Sequence, residues 1–351
     1  MPQTETTEPV PVQDDYGRPH NFGWARSPLF TYDHNLLMSP RRSISESDRY
    51  VLFSPTHMVV LEILDDGYLG YMCLCVASMK DKKRSTHTFL TPFSLGSFEL
   101  PADSETGSIK FRQKKNYLNF AVMDRGIRII KVDIPLFSHN RSLRGEVVLT
   151  PPPDAESLVT HMPWREKRNA FCYSRKSPWY SVEGVIQLGT SELIFTKGNG
   201  WGIFDWNRGV RPRKDLRFWA ASCGLTTGGL TTGDITDSHQ VGFSVGHNSA
   251  DSSLGTENAF FLDGKLHKLD QVTFHIPSDR YAPWRFTSND SRLEMTFSPQ
   301  QERDETHQMF FYSLKRRQSF GSFSGRVTLD NGYDFEFSDI TGFAERRKSR
   351  F

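Results

Sequence analysis

The stretch WGIFDWNRGVRPRKDLRFW, from Trp201 to Trp219, sets a carboxylate among aromatic rings and places a guanidinium three residues after it. Read as a strand, residues 201–206 put Trp201, Ile203 and Asp205 on one face and Gly202, Phe204 and Trp206 on the other. Burial in an apolar barrel mouth raises the pKa of Asp205 and a nearby Arg208 lowers it. That combination makes a general acid or base, or an anchor for a polar ligand head. A corner at Asn207 and Gly209 lets the Arg208 side chain fold back onto Asp205. The plainer reading is a structural ion pair closing a strand-to-loop corner. Trp201, Trp206 and Trp219 form the expected apolar wall. Arg211, Arg213, Lys214 and Arg217 read as a solvated basic loop, or as an attraction for an anionic ligand.

Glu183, in SVEG, and Glu257, beside Asn258, stand at the edges of apolar runs, where a barrel rim lies. With Asp205 and Arg208 they compose a cluster suited to water addition, elimination or isomerisation, with Asn258 among the ligand-binding residues. Each acid also fits a turn residue bonded to local backbone N–H groups. Glu345, followed by Arg346, Arg347 and Lys348, reads as a terminal surface charge cluster. Metal chemistry is not indicated. Cys73 and Cys75 point to one face of a strand, but no second cysteine pair or His-x-His accompanies them, and buried apolar thiols account for both. His239 and His247 lack ligand spacing. GLTTGGLTTGD (224–234) has neither the lysine nor the strand-to-helix setting of a phosphate loop, and no nucleophile elbow or dinucleotide fingerprint occurs. No cofactor is expected.

The elements that must position these residues are strands. VLFSPTHMVVLEIL (51–64), YLGYMCLCVAS (68–78), IRIIKVDIPL (127–136), GVIQLG (184–189), VGFSVG (241–246) and RLEMTFSP (292–299) are short, rich in β-branched and aromatic residues, and separated by turn residues. Asn331-Gly332 between alternating runs is a hairpin signal. No helical pattern exceeds two turns, so the chain reads as all-β. A Gly-x-[Val/Ile]-x-Leu pattern recurs at Gly145, Gly184 and Gly325, and Pro151, Pro152 and Pro153 mark a mid-chain boundary. The expected organisation is a disordered acidic tail (1–21) and two antiparallel barrels or sandwiches packed together (22–150 and 158–351).

The 351 residues carry 43 Lys and Arg against 41 Asp and Glu, a net charge of +2 that argues against nucleic acid as a partner. Aromatics reach 13%, enough apolar material to exclude disorder for the bulk of the chain. No apolar run approaches the roughly 20 residues of a membrane-spanning helix. Four cysteines in so long a chain do not make a disulfide framework, and a cytoplasmic location is expected.

The segments GWARSPLFTYD (23–33), DDGYLGY (65–71), WYSVEG (179–184), FDWNRG (204–209), FWAASCG (218–224), ENAFFLDGKLHKL (257–269) and GFAERR (342–347), in this order, resemble the family known as domain of unknown function 2804. More distantly, that family resembles the duplicated lipocalin-like proteins that include carotenoid hydratase. The resemblance implies two lipocalin-like barrels per chain. The hydratase pattern Asp-His-Asn-Trp-Gly falls on Asp205 to Gly209. Asp205, Asn207 and Gly209 match, Trp206 replaces the histidine and Arg208 the tryptophan, and the hydratase's Tyr-x-Asp element has no clear counterpart in 226–250. Two functions follow as expectations: a cofactor-independent hydratase, lyase or isomerase acting on a hydrophobic or amphipathic small molecule, and a non-catalytic carrier or sensor of a lipid-like ligand.

Overall fold

Runs such as HMVVLEILD and LGYMCLCVAS are apolar at nearly every position, which a strand tolerates only when both of its faces are covered. Both strands, His57–Asp65 and Leu69–Ser78, are buried almost throughout. The computed structural model describes residues 3–167, 169–226, 238–309 and 312–350, and gives the reason. These strands lie between the interior of one curled sheet and the face of a second. Leu52, Leu61 and Phe204 point into the first sheet's own core, whereas Val51, Val60 and Ile203 pack outward against Trp219, Phe320 and Phe343 of the second. At about 25 cal/mol per Å² of apolar surface buried, such doubly covered strands contribute strongly to the fold.

The first sheet runs Arg84–Pro92, Leu69–Ser78, His57–Asp65, Glu46–Phe53, Trp201–Val210, Phe171–Leu188, Arg141–Thr150, Arg128–Ser138, Asn116–Val122 and Ser108–Gln113, with shorter strands appended. It curls enough for His87, on the first of these, to hydrogen-bond the carbonyl of Phe137 at 2.9 Å. The second sheet runs Lys265–Lys268, Ala259–Leu262, His239–His247, Lys214–Thr226, Asp334–Arg350, Tyr312–Thr328, Leu293–Met309, Trp284–Ser288 and Val272–His275. Its interior is a phenylalanine core that includes Phe243, Phe260, Phe286, Phe297, Phe323 and Phe335. The fold is all-β, two curled antiparallel sheets packed together, and helix among the described residues is confined to three single 3-10 turns. Asn331 and Gly332 make the turn between the paired strands Tyr312–Thr328 and Asp334–Arg350, with Gly332 at φ +83°.

Two features differ from the composition-based expectation. Hydrogen bonding does not stop at Pro151–Pro153, because Leu158–Pro163, Phe171–Leu188 and Trp201–Val210 continue the first sheet, and the change of sheet falls between Val210 and Lys214. The polar N-terminal stretch is held: Thr6 N donates to Trp24 O (2.7 Å), Thr4 N to Leu254 O (3.3 Å), and Gln3 bonds Asp270 (2.6 Å) and the backbone N–H of Thr256 (2.9 Å). The Gly/Thr-rich stretch 224–234 lies, from residue 227 onward, outside the described residues. The two sheets approach closely at Gly242, where a Cβ would stand 1.9 Å from the carbonyl oxygen of Pro178.

Candidate functional site

Cross-strand register builds a row of polar residues inside the otherwise apolar contact between the sheets. Lys176 lies opposite Asp205, Asp205 opposite Arg49, Arg49 opposite Glu62, and Glu62 opposite Cys73, across five neighbouring strands. Charges alternate from Lys176 to Glu62, so these neighbours are attractive cross-strand pairs, and the row ends on the neutral Cys73 thiol. The second sheet answers with partners of its own. Glu345 takes two hydrogen bonds from Arg49 (3.1 and 2.9 Å), Arg316 gives two to Glu62 (2.5 and 2.9 Å), and Arg303 donates to the Cys73 sulfur (2.7 Å) and to Glu305 (2.8 Å).

At one end of this seam two carboxylates share one ammonium. Lys176 Nζ, fully buried, donates to Asp205 Oδ1 and sits 3.3 Å from Glu257 Oε1. Glu257 also accepts from Ser174 Oγ (2.8 Å), Arg217 (3.1 Å) and Asn248 (3.4 Å). Asn207 donates to Asp205 at 2.8 Å. The Trp219 indole stands in the middle, with Arg49, Lys176 and Arg217 at 5.1, 5.3 and 5.5 Å from its ring, and its N–H donates to Ser244 (3.0 Å). Three cations around one indole is a cation–π arrangement that burial strengthens.

The electrostatics follow from this packing. Burial pushes the Asp205 carboxyl up, but Lys176, Arg217 and Arg49 outweigh it and bring it to about 2. Glu257 is lowered in the same way, burial being overcome by Arg217 and Lys176, and Glu345 by Arg49 and Arg316. Burial pushes the Cys73 thiol up to about 12. The three acids of this region are therefore held in the ionised form at neutral pH.

Glu257 opens onto a cavity of about 430 Å³, also lined by Asn258, His247, Asn248, Met162, Phe218 and Phe274. Asn258 is a wall element: its oxygen accepts from Gly246 N (2.6 Å) and its amide donates to Asp270 O (2.7 Å). Lys268, half-buried, ties the same loop through Thr256 Oγ1 (2.7 Å) and the carbonyls of Asn258 and Leu269, and desolvation lowers it to about 7.

The structure thus brings Asp205, Glu257 and Trp219 together, with Trp201 packed at the edge of the same inter-sheet cluster. It does not bring Arg208 to Asp205. No corner forms at Asn207, the strand runs straight through to Val210, and residues three apart on a strand face opposite ways. Arg208 instead pairs with Asp48 at 2.8 Å and lies over Trp206, which belongs to the first sheet's interior. Glu183 is exposed on the outer face, opposite Val148. Arg217 is a buried partner of Glu257 rather than part of a solvated loop, and Glu345 is buried rather than a surface charge. Sequence reasoning missed Lys176, Arg49, Glu62 and Arg316. Three of these carried a signal, a charge inside a strand-length run: Lys176 in FCYSRKSPWYS, Arg49 in SDRYVLF and Glu62 in VVLEIL.

No curated protein matches the chain. Among solved structures, kievitone hydratase from Nectria haematococca is 8% identical over 87% of this chain and 88% of its own, with a TM-score of 0.46. An AttH-like protein from Nitrosomonas europaea is 12% identical over 86% and 91%, with a TM-score of 0.47. The family model described as a domain of unknown function, DUF2804, matches residues 3–351, and the chain belongs to that family.

Proposed function

We propose that the chain is a cofactor-independent enzyme of the hydro-lyase or isomerase type, acting on a small amphipathic molecule held in the cavity beside Glu257. One observation carries this reading. A carboxylate only 3% exposed, kept ionised by Arg217 and Lys176, borders a 430 Å³ cavity with Met162, Phe218 and Phe274 in its walls. A storage pocket needs polar groups at its mouth, whereas this one carries its strongest charge among buried groups. In an elimination, Glu257 takes the proton from the carbon beside a leaving hydroxyl, and that electron pair becomes the double bond. His247, on the cavity wall, gives a proton to the hydroxyl, which departs as water; addition is the reverse. Asp205 does not line this cavity and acts as a positioning residue, holding the Lys176 ammonium against Glu257.

Mass spectrometry of the small molecule that co-purifies from native expression supplies the compound to test. Wild-type protein should convert it, and Glu257→Gln should bind it without conversion. Undiminished turnover by Glu257→Gln removes this residue from the chemistry. A carrier or sensor is the second reading, favoured by one observation: Asp205, Glu257 and Glu345 are all held below the usual carboxylate range, as suits anchoring charges. In that case the wild type leaves the compound unchanged and Glu257→Gln weakens its binding.

A further inference from the structure

A second cavity, about 680 Å³, opens at the mouth of the first sheet, among Arg128, Arg175, Trp179 and Tyr180. Arg128 is 2% exposed, yet no carboxylate among the described residues pairs with it. Its donors go to neutral oxygens: Tyr180 OH (2.8 Å), Tyr50 OH (3.1 Å) and the carbonyl of Ser104 (2.6 Å), and its guanidinium lies 3.9 Å from the centre of the Phe204 ring. Arg175, also buried, bonds Ser157 Oγ (3.1 Å) and Ser104 Oγ (3.1 Å). Its one acidic partner among the described residues is Glu105, at 3.3 Å with a side chain 54% exposed. Buried guanidiniums are ordinarily neutralised. Here two stand on either side of Ser104 with a single, loosely held carboxylate between them and solvent.

We propose that this cavity is a binding site for an organic anion, a carboxylate or sulfonate on an aromatic body. Arg128 and Arg175 receive the anionic head. The Tyr180 hydroxyl, which accepts from Arg128, retains its own proton to donate to the head. Trp179 and Tyr180 offer ring faces to the body. Glu105 occupies the position of the missing anion in the unliganded protein and swings into solvent when ligand enters, while Asp124 and Asp154, both exposed at the rim, stay hydrated. Charge is what selects the ligand, because a neutral molecule of the same shape leaves Arg128 without a counter-ion. The site is separate from the cavity beside Glu257, so its occupancy does not depend on that reading.

The full chain is titrated with anilinonaphthalene sulfonate and, in parallel, with phenyl-naphthylamine, the same rings without the sulfonate. The sulfonate should bind saturably and the neutral probe at least about tenfold more weakly, the scale of one lost charge-assisted pair. Glu105→Gln, at an exposed position that leaves folding intact, should tighten the sulfonate several-fold, and Arg175→Gln should weaken it. Arg128→Met, where far-UV circular dichroism shows it folded, should weaken it further, while Glu257→Gln leaves it unchanged. Equal affinity for the charged and neutral probes overturns the proposal, as does a Glu105→Gln variant with unaltered sulfonate affinity or a Glu257→Gln variant that loses it.

Discussion

Asp205 and Lys176 each stand where a lone charge is intolerable, and each is there because the other is. Replacing such a pair by apolar groups is often harmless, but breaking it leaves one charge buried and unpaired, at a cost of about 3–5 kcal/mol. Because Glu257 still partners Lys176, Asp205→Asn is expected to lower stability in urea unfolding by less than that amount. Adding Lys176→Met should restore part of the loss, because Arg217 still pairs with Glu257, and a double variant no more stable than Asp205→Asn alone contradicts the pairing. The same carboxyl sets a pH window. An acid whose folded pKa lies below its unfolded value stabilises the fold above the unfolded value, and that contribution is lost as pH falls through the folded one. For Asp205 the window runs from its ordinary 3.8 down to about 2, with Glu257, Glu345 and Glu62 contributing in the same direction. Stability should thus fall steeply below about pH 4. In Asp205→Asn the fall should be shallower, measured as urea midpoints across an acid pH series.

Among the elements, the strand His239–His247 depends on glycine to meet the first sheet. Gly242→Ala sets a methyl group against the Pro178 carbonyl and should cost about 1–3 kcal/mol in thermal or urea unfolding, the range of overpacked cores. A neutral result would mean that the sheets separate locally without penalty. The strands themselves were legible in the sequence, since β-branched runs, turn residues and the Asn331-Gly332 hairpin need no tertiary information. So was the face shared by Trp201, Ile203 and Asp205. The partner of Asp205 was not, because register decides it: Lys176 is 29 residues away and meets the carboxylate only through the pairing of two strands. Arg208 misled because Asn207 and Gly209 resemble a corner, whereas the strand continues and turns the guanidinium to Asp48. Glu345 misled because a run of basic residues reads as surface. Paired with Arg49 across the sheets, it is sealed in.

For the whole molecule, the seam ties the two sheets through ion pairs that cross between them. Arg49 pairs with Glu345, Arg316 with Glu62, and Lys176 with Glu257. Thermal unfolding should accordingly be one transition, with tryptophan fluorescence and far-UV circular dichroism giving coincident midpoints. Two resolved midpoints would show that the sheets are independent units. Melts with and without reductant should also coincide, because Cys73, Cys75, Cys172 and Cys223 are all free.

The anchoring of Gln3 has a practical side. Its amide clasps Thr256 and Asp270, on either side of the loop that presents Glu257 and Asn258 to the cavity. Thr4 fastens to Leu254 just before that loop. Gln3 and Thr4 act as a guy-rope on the cavity wall, although neither of them lines it. A fusion tag placed there, or a protease that trims past residue 6, slackens the loop while the two sheets stay folded. Preparations differing only in that short peptide should then differ in ligand affinity, even with identical melting curves.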